Sequence, residues 1–241
     1  MTPPIFTPDG TEVEEVILPD GSKASEVIAP DGTVVFDAIP DSVVDNFELE
    51  GSDPAGPYSD GDDITEFYAG DTSEFSITTD ESSVGSRSLE FNDSNFRTIL
   101  SKPEDGLPRY PEYGETVNYY VRFGQNVNDL RFIFGAEDAD NFFGVQTNPD
   151  RDRVRFFKRV GGSFESVATD ETVNYPLDEW LKVEVDWQDE KTISVMDSEE
   201  TVLGSVSGAD TTFDNEMGIG FEGLDSGTNP GYFDGVHVPD E

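Results

Sequence analysis

Apolar and polar residues alternate with a period of two along most of the chain beyond residue 70. Such alternation predicts β-strands with one buried and one solvated face. The predicted strands are Phe75–Thr79, Ser88–Phe91, Thr116–Phe123, Leu130–Phe134, Phe142–Gln146, Val154–Val160, Phe164–Ala168, Trp180–Trp187, Thr192–Met196, Val202–Val206, Met217–Phe221 and Tyr232–Val238. Turn residues separate them and no segment has a helical period. The pattern therefore predicts an all-β, two-sheet sandwich over residues 41–241.

The first 40 residues carry a different pattern, a tandem repeat of 11 residues. Pro-Asp-Gly recurs at residues 8–10, 19–21 and 30–32, and each copy precedes Thr or Ser and then an apolar pair. Pro and Gly in every unit exclude a coiled coil, and Pro-Asp-Gly is typical of a tight turn. The repeat predicts a small three-stranded β-meander. Because so small a sheet is unstable alone, it must dock on the sandwich, on copies of itself or on another protein, and we favour the last two.

Charge is the most extreme property of the composition. The 241 residues include 53 acidic and 14 basic side chains, which gives a net charge of −39. Unscreened repulsion among these charges would be on the order of 80 kcal/mol, whereas a domain is stable by about 5–15 kcal/mol. Molar salt shortens the Debye length to about 3 Å and therefore screens this repulsion. The composition resembles that of proteins from extremely halophilic archaea or their viruses, and it disfavours nucleic acid or an anionic membrane as a partner.

Several chemistries are excluded by residue counts. The chain has no cysteine, so it has neither disulfides nor thiol chemistry. His237 is the only histidine, which excludes a Ser-His-Asp triad and a zinc site with several histidines. No run of 18 apolar residues is present, and the first residues do not read as a signal peptide.

Five segments in order resemble the concanavalin-like jelly rolls of the laminin-G and carbohydrate-binding kind, over roughly residues 43–238. The segments are Asp45–Glu48, Val84–Phe91, Val154–Arg159 with the following Gly161-Gly162, Trp180–Val185 and Tyr232–Val236. The resemblance implies a two-sheet jelly-roll sandwich, a fold that often binds glycans or proteins. It also implies a structural calcium ion shared by an acidic residue of the first strand and an Asp of the last. Glu48 and Asp234 occupy the matching positions, although Gly235 departs from the two adjacent acids often found there.

Glycosidase activity is the enzymatic alternative. Glucanases of this fold carry Glu-x-Asp-x-Glu on one strand, and Glu184 and Asp186 match its first two acids. Gln188 stands at the third position, where the general acid belongs, and an amide cannot protonate a leaving group. We therefore expect a solvated strand face and no enzymatic activity.

Two clusters are candidates for contact with a glycan or a partner. Strand alternation places Arg151, Arg153, Arg155 and Arg159 on one side, and arginine forks suit carboxylates or sulfates. These arginines contact either an anionic glycan or an acidic neighbouring subunit, or they balance nearby acids. Arg109, Tyr110 and Tyr113 form the second cluster, in a loop where the rings either pack on a sugar or anchor the loop.

The leading functional hypothesis joins these observations. A lectin-like sandwich without a signal peptide and with a docking module predicts a structural protein of a haloarchaeal tailed virus, as a tail fibre, receptor-binding or capsid decoration protein. It would form a homo-oligomer, with a trimer favoured, and bind other virion proteins through residues 1–40. The sandwich would face host-surface glycans from the virion surface, in high salt. The alternatives are a cellular halophilic carbohydrate-binding protein and a glycosidase.

Overall fold

The computed structural model describes residues 26–28, 34–37, 43–45, 47, 64–65, 67–84, 87–101, 107, 109–125, 128–224 and 229–239. The strands are β1 (Glu26–Ile28), β2 (Val34–Asp37), β3 (Val43–Asp45), β4 (Tyr68–Gly70), β5 (Phe75–Thr78), β6 (Ser88–Phe91), β7 (Arg97–Ser101), β8 (Thr116–Phe123), β9 (Asp129–Asp138), β10 (Asn141–Asn148), β11 (Arg153–Val160), β12 (Ser163–Asp170), β13 (Trp180–Asp186), β14 (Glu190–Met196), β15 (Val202–Ala209), β16 (Gly218–Leu224) and β17 (Gly231–His237). Short 3-10 turns span Thr72–Glu74 and Pro149–Arg151.

Two antiparallel sheets form the body of the protein, and they confirm the predicted all-β jelly-roll sandwich. The seven-stranded sheet has the order β12-β11-β10-β9-β16-β7-β4. The eight-stranded sheet has the order β15-β14-β13-β8-β17-β6-β5, and β3 also pairs with β17. Neighbours along each sheet are often distant in sequence, as in β9 beside β16 and β8 beside β17, so long-range register decides which side chains meet.

Aromatic side chains join the two sheets across the core. Phe132 of β9 stacks on Tyr119 of β8 with ring centroids 4.5 Å apart, and Phe221 of β16 packs on Phe233 of β17 at 4.8 Å. All four rings are buried. Each aromatic pair of this kind contributes about 0.5–1.5 kcal/mol to stability beyond the effect of its buried area. These pairs therefore fix the position of the seven-stranded sheet against the eight-stranded sheet.

The predicted alternation on the strand from Trp180 is confirmed. Leu181, Val183, Val185 and Trp187 are all fully buried, while the residues between them are half-buried on the outer face. The Trp187 indole donates to Asp214 Oδ1 over 3.0 Å, which pairs its polar atom inside the core.

The N-terminal repeats are described only in part. Strands β1 and β2 pair antiparallel, with Val27 opposite Phe36, as a separate two-stranded sheet. Pro30, Asp31 and Gly32 lie between them in sequence, outside the described residues. The third strand of the meander, the domain boundary at residue 41 and the docking role therefore stay predictions.

A glycine turn shapes the hairpin of β11 and β12. Gly161 and Gly162 have φ values of +54° and +78°, which side chains other than glycine rarely adopt. The turn sets Arg159 opposite Phe164. The hairpin forms one edge of the seven-stranded sheet and carries side chains of the site described next.

Candidate functional site

A row of polar side chains crosses the outer face of the seven-stranded sheet. Strand register places the row in the order Thr169, Arg155, Gln146, Arg131, Glu222 and Thr98. Their sequence neighbours on these strands include Phe132, Val145, Phe156 and Phe221, which belong to the main core. Because successive side chains of a strand point to opposite faces, the row faces away from that core.

Three members of this row, Arg155, Gln146 and Arg131, line a groove of about 480 Å³. Its described lining consists of Phe96, Asp129, Arg131, Gln146, Asn148, Asp150, Arg151, Arg153, Arg155, Phe164 and Leu224. Phe96 and Phe164 are 44% and 42% exposed, which is unusual for so large an apolar side chain. Their ring centroids lie 4.0 Å and 5.8 Å from the guanidinium carbon of Arg131, so both rings border the same space.

Asp129 lies on the floor of this groove and holds three neighbouring side chains in place. Its carboxylate accepts from Arg131 Nε over 3.1 Å, from Asn148 Nδ2 over 2.9 Å, and from Gln146 Nε2 over 2.7 and 2.9 Å. Since a carboxylate only accepts hydrogen bonds, it determines which end of the Gln146 amide faces it. Gln146 Oε1 is thereby turned away, and this buried oxygen has no hydrogen-bond partner among the described residues.

Glu222 is the second buried carboxylate of the row. It accepts from Arg131, from Arg159 Nη2 over 2.9 Å and from Thr98 Oγ1 over 2.8 Å. The guanidinium of Arg159 also lies 4.9 Å from the ring centroid of Phe142. Arg159 therefore belongs to the ion-pair network beside the groove rather than to its described lining.

Arg151, Arg153 and Arg155 carry charge that the protein compensates weakly. Arg153 is buried, and its ion-pair partner Glu171 is 4.0 Å away with a side chain that is 65% exposed. Arg155 donates to Thr169 Oγ1 over 3.2 Å, and neither it nor the exposed Arg151 forms an ion pair with a described carboxylate.

The pKa values of Arg153 and Arg155 reflect their burial and their closeness to other arginines. Burial lowers the pKa of Arg153 and of Arg155. The neighbouring guanidinium of Arg155 lowers the pKa of Arg153 further, and that of Arg131 does the same to Arg155. Arginine nevertheless stays charged at neutral pH. The groove thus concentrates positive charge on a chain whose net charge is −39.

Local sequence reasoning missed the other half of the groove. The structure brings Arg151, Arg153 and Arg155 together, and Arg159 lies on the same face. It adds Phe96 and Phe164 as walls, and Arg131, Asp129 and Gln146 as floor. A single exposed Phe or one Arg in an apolar strand carries no signal by itself, because the strand register determines which of them meet.

The second predicted cluster lies elsewhere in the sandwich. Arg109 pairs with Glu115, Tyr110 packs against the main core, and the Tyr113 hydroxyl donates to Asp189, a bond that raises the pKa of Tyr113. Gly114 N donates to Trp187 O over 2.8 Å, and Trp187 packs on Phe134. The groove described above instead includes Asp129 and Arg131, at the start of the strand β9 that also carries Phe134.

Only one of the two predicted calcium ligands belongs to the described part of the chain. Glu48 lies outside the described residues. Asp234 is buried, and its Oδ2 accepts from the backbone N–H groups of Ser83 and Val84 over 2.6 and 2.8 Å. Within the described ranges, no group of three or more acidic or histidine side chains is arranged to hold a metal ion. A calcium ion at Glu48 and Asp234 stays a prediction.

The strand considered for glycosidase chemistry belongs to the other sheet. Glu184 pairs with Lys182 over 3.4 Å, and Gln188 Nε2 donates to the backbone oxygen of Gly114 over 2.7 Å. The amide at position 188 thus bonds the neighbouring loop, a role that an ionised carboxylate could not perform. The absence of enzymatic activity stays a prediction.

In the part of the chain that the structure describes, no helix has the length and apolar character needed to cross a bilayer.

No protein-family model matches the chain, and no curated protein matches it in sequence. Solved structures with a similar fold include the carbohydrate-binding module CBM66 from Bacillus subtilis, at 14% identity and a TM-score of 0.53, covering 70% of this chain and 92% of that one. A Bacillus subtilis protein of unknown function with a galectin-like fold matches at 12% identity and a TM-score of 0.51, covering 75% and 97%. This likeness shows the fold alone: the chain shares the jelly-roll architecture of these two structures, one of which is a carbohydrate-binding module and the other a protein with a galectin-like fold.

Proposed function

We propose that this chain is a lectin-like protein that binds carbohydrate in the groove on the outer face of its seven-stranded sheet. The observation that carries the proposal is the pair of exposed rings, Phe96 and Phe164, beside a row of fixed polar side chains. A sugar has an apolar face of C–H groups and an edge of hydroxyls, so it needs both kinds of surface at once. The groove volume of about 480 Å³ lies within the usual range for small-ligand sites.

The polar side chains are held in place before any ligand arrives. Arg131 is bonded to Asp129 and Glu222 and covered by Phe96, while Gln146 is bonded to Asp129. A preorganised site loses little side-chain entropy on binding. The groove therefore suits a ligand whose hydroxyls have defined directions, which is the property that distinguishes one sugar from another.

Truncation of a groove wall tests this proposal. The Phe164→Ala variant is expected to weaken binding at least tenfold for glycans that the wild-type protein captures on an array in about 3 M NaCl, because the sugar loses an apolar contact surface. Val202→Ala is the matched control, since Val202 is also exposed but lies on β15 of the other sheet. Calorimetry with the captured glycan measures both. Failure to capture any glycan, or full affinity in Phe164→Ala and Phe96→Ala, would contradict the proposal.

We further propose that the sandwich is displayed on a particle of a haloarchaeal tailed virus, as part of a homo-oligomer. The acidic composition and the N-terminal 11-residue repeats support this setting. The rival setting is the cell envelope of a halophile, with the same carbohydrate-binding role. Mass spectrometry of purified virions and of host envelopes separates the two, because the protein should be enriched in only one of them.

Removal of residues 1–40 tests the assembly role. The truncated protein is expected to stay folded, to sediment as a monomer and to be missing from particles, because the repeat module provides the docking surface. The full-length chain, prepared in the same salt, is the control. Normal incorporation of the truncated protein into particles would show that this assembly role is wrong.

A further inference from the structure

We propose that the groove selects saccharides that carry an anionic group, either the carboxylate of a uronic acid or a sulfate ester, and that Arg151, Arg153 and Arg155 hold that group. This inference rests on the proposed carbohydrate-binding function and names the class of ligand.

The charges around the groove are unequal. Four arginines and two aspartates contribute to its described lining. Asp129 forms its ion pair with Arg131, so the other three arginines share Asp129, Asp150 and the exposed Glu171 as nearby counter-charges. A surface that elsewhere repels anions thus holds a local excess of guanidinium groups. An anionic ligand would neutralise this excess, whereas a neutral sugar would leave it in place.

Arg153 is the strongest single indication. It is 4% exposed, its Nε has no hydrogen-bond partner among the described residues, and its carboxylate partner is 4.0 Å distant. Proteins pair buried charges because an uncompensated one is costly. A ligand carboxylate or sulfate beside this guanidinium would supply a closer counter-charge than Glu171 does, at a place that solvent reaches poorly.

Arg155 and Arg151 are placed to complete the anion site. The Arg155 guanidinium is held by Thr169 Oγ1 and lies 5.5 Å from the ring centroid of Phe164. Its planar fork is therefore oriented, and such forks bind carboxylate and sulfate oxygens in pairs. Arg151 follows Asn148, whose Oδ1 accepts from the Arg151 backbone N–H over 3.1 Å, so the turn sets Arg151 at the mouth of the groove.

The same groove favours a sugar over an acidic protein segment. The aromatic walls Phe96 and Phe164 adjoin the arginines, so one ligand must offer an apolar face next to its negative group. A uronate or sulfated pyranose has both features within one ring. A second copy of this chain would bring a net charge of −39 to the contact, whereas an acidic sugar brings one or two charges.

Calorimetry in about 3 M NaCl with four oligosaccharide probes tests the inference. The probes are oligogalacturonate, its methyl ester, a sulfated galacto-oligosaccharide and the neutral galacto-oligosaccharide. The wild-type protein is expected to bind oligogalacturonate or the sulfated probe at least tenfold more tightly than its uncharged counterpart. The charged arm that binds identifies the carboxylate or the sulfate as the recognised group.

Substitutions in the groove supply the second readout. Arg155→Gln is expected to abolish the preference for the charged probe, and Arg155→Lys to retain only part of it, because a lysine lacks the fork. Lys182→Gln removes the same charge from the outer face of the other sheet and should leave the preference unchanged. The thermal unfolding midpoint of each variant shows that it is folded.

Three results would overturn the inference. None of them by itself rules out the proposed carbohydrate-binding function. Equal affinity for charged and uncharged probes, with both dependent on Phe164, would remove the anion selectivity and keep carbohydrate binding. No binding of any of the four probes would also overturn it, while the glycan array still decides the proposed function. A change of oligomeric state in Arg155→Gln would show that an acidic segment of a second copy occupies the groove.

Discussion

Dialysis of the purified protein from about 3 M to about 0.05 M NaCl is expected to lower the midpoint of thermal unfolding by about 20 °C or more. Much of the net charge of −39 lies on the folded sandwich, and the like charges move apart on unfolding. At molar salt the Debye length is about 3 Å, and below about 0.1 M it exceeds 10 Å. Repulsion on the order of 10 kcal/mol then acts against a stability of about 5–15 kcal/mol. Circular dichroism as a function of temperature measures the midpoint.

A charge-reduced variant distinguishes electrostatic repulsion from a general effect of salt on the hydrophobic core. Glu137, Glu179 and Glu199 are exposed, and replacing all three by Gln removes charge without removing a side-chain contact. This triple variant should unfold at a higher temperature than the wild type in about 0.05 M NaCl and at nearly the same temperature in about 3 M. A wild-type midpoint that stays within a few degrees across this range would refute the halophilic interpretation.

Glu222→Ala is expected to lower the free energy of unfolding by about 3–5 kcal/mol. Glu222 is 1% exposed and accepts from Arg131, Arg159 and Thr98, so its removal leaves two guanidinium groups without their shared carboxylate. Burying an unpaired charge costs several times what an exposed ion pair contributes. Urea unfolding in about 3 M NaCl measures the loss without altering the ionic strength.

Two further variants show that the loss comes from the unpaired charges. Glu137→Ala removes an exposed acid at the end of the neighbouring strand β9, and it should change the free energy of unfolding by at most about 0.5 kcal/mol. The double variant Glu222→Leu with Arg159→Met should recover part of the stability lost in Glu222→Ala, because it removes the guanidinium together with its carboxylate and leaves Arg131 paired with Asp129. A loss below about 1 kcal/mol in Glu222→Ala would mean that the network is solvated.

The fold was predictable from the chain because most strands have one buried and one outer face. Leu181, Val183 and Val185 show this alternation, and turns such as Gly161-Gly162 mark the strand ends. Strands without that signal were missed. Tyr68–Gly70 has only three residues, and Arg97–Ser101 is short and borders the exposed Phe96. Short segments of this kind become strands because a neighbouring strand supplies hydrogen bonds, which a local pattern does not record.

Only the part of the candidate site that lies on a single strand was predictable from the sequence. Arg153 and Arg155 alternate along one strand, so their common face follows from the period of two. Arg131 and Gln146 lie inside apolar runs that read as ordinary core strands. Their meeting with Arg155 depends on the register of β9, β10 and β11, and a slip of one residue would turn each of them to the other face.

The hairpin of β11 and β12 places Arg153, Arg155 and Phe164 on one continuous segment of the chain, closed by a two-glycine turn at the sheet edge. Its inward side chains Val154 and Phe156 face the core, and its outward side chains face the groove. Ligand preference can therefore diverge between related proteins through changes confined to alternate positions of a single edge hairpin, while the remaining strands keep their packing and register.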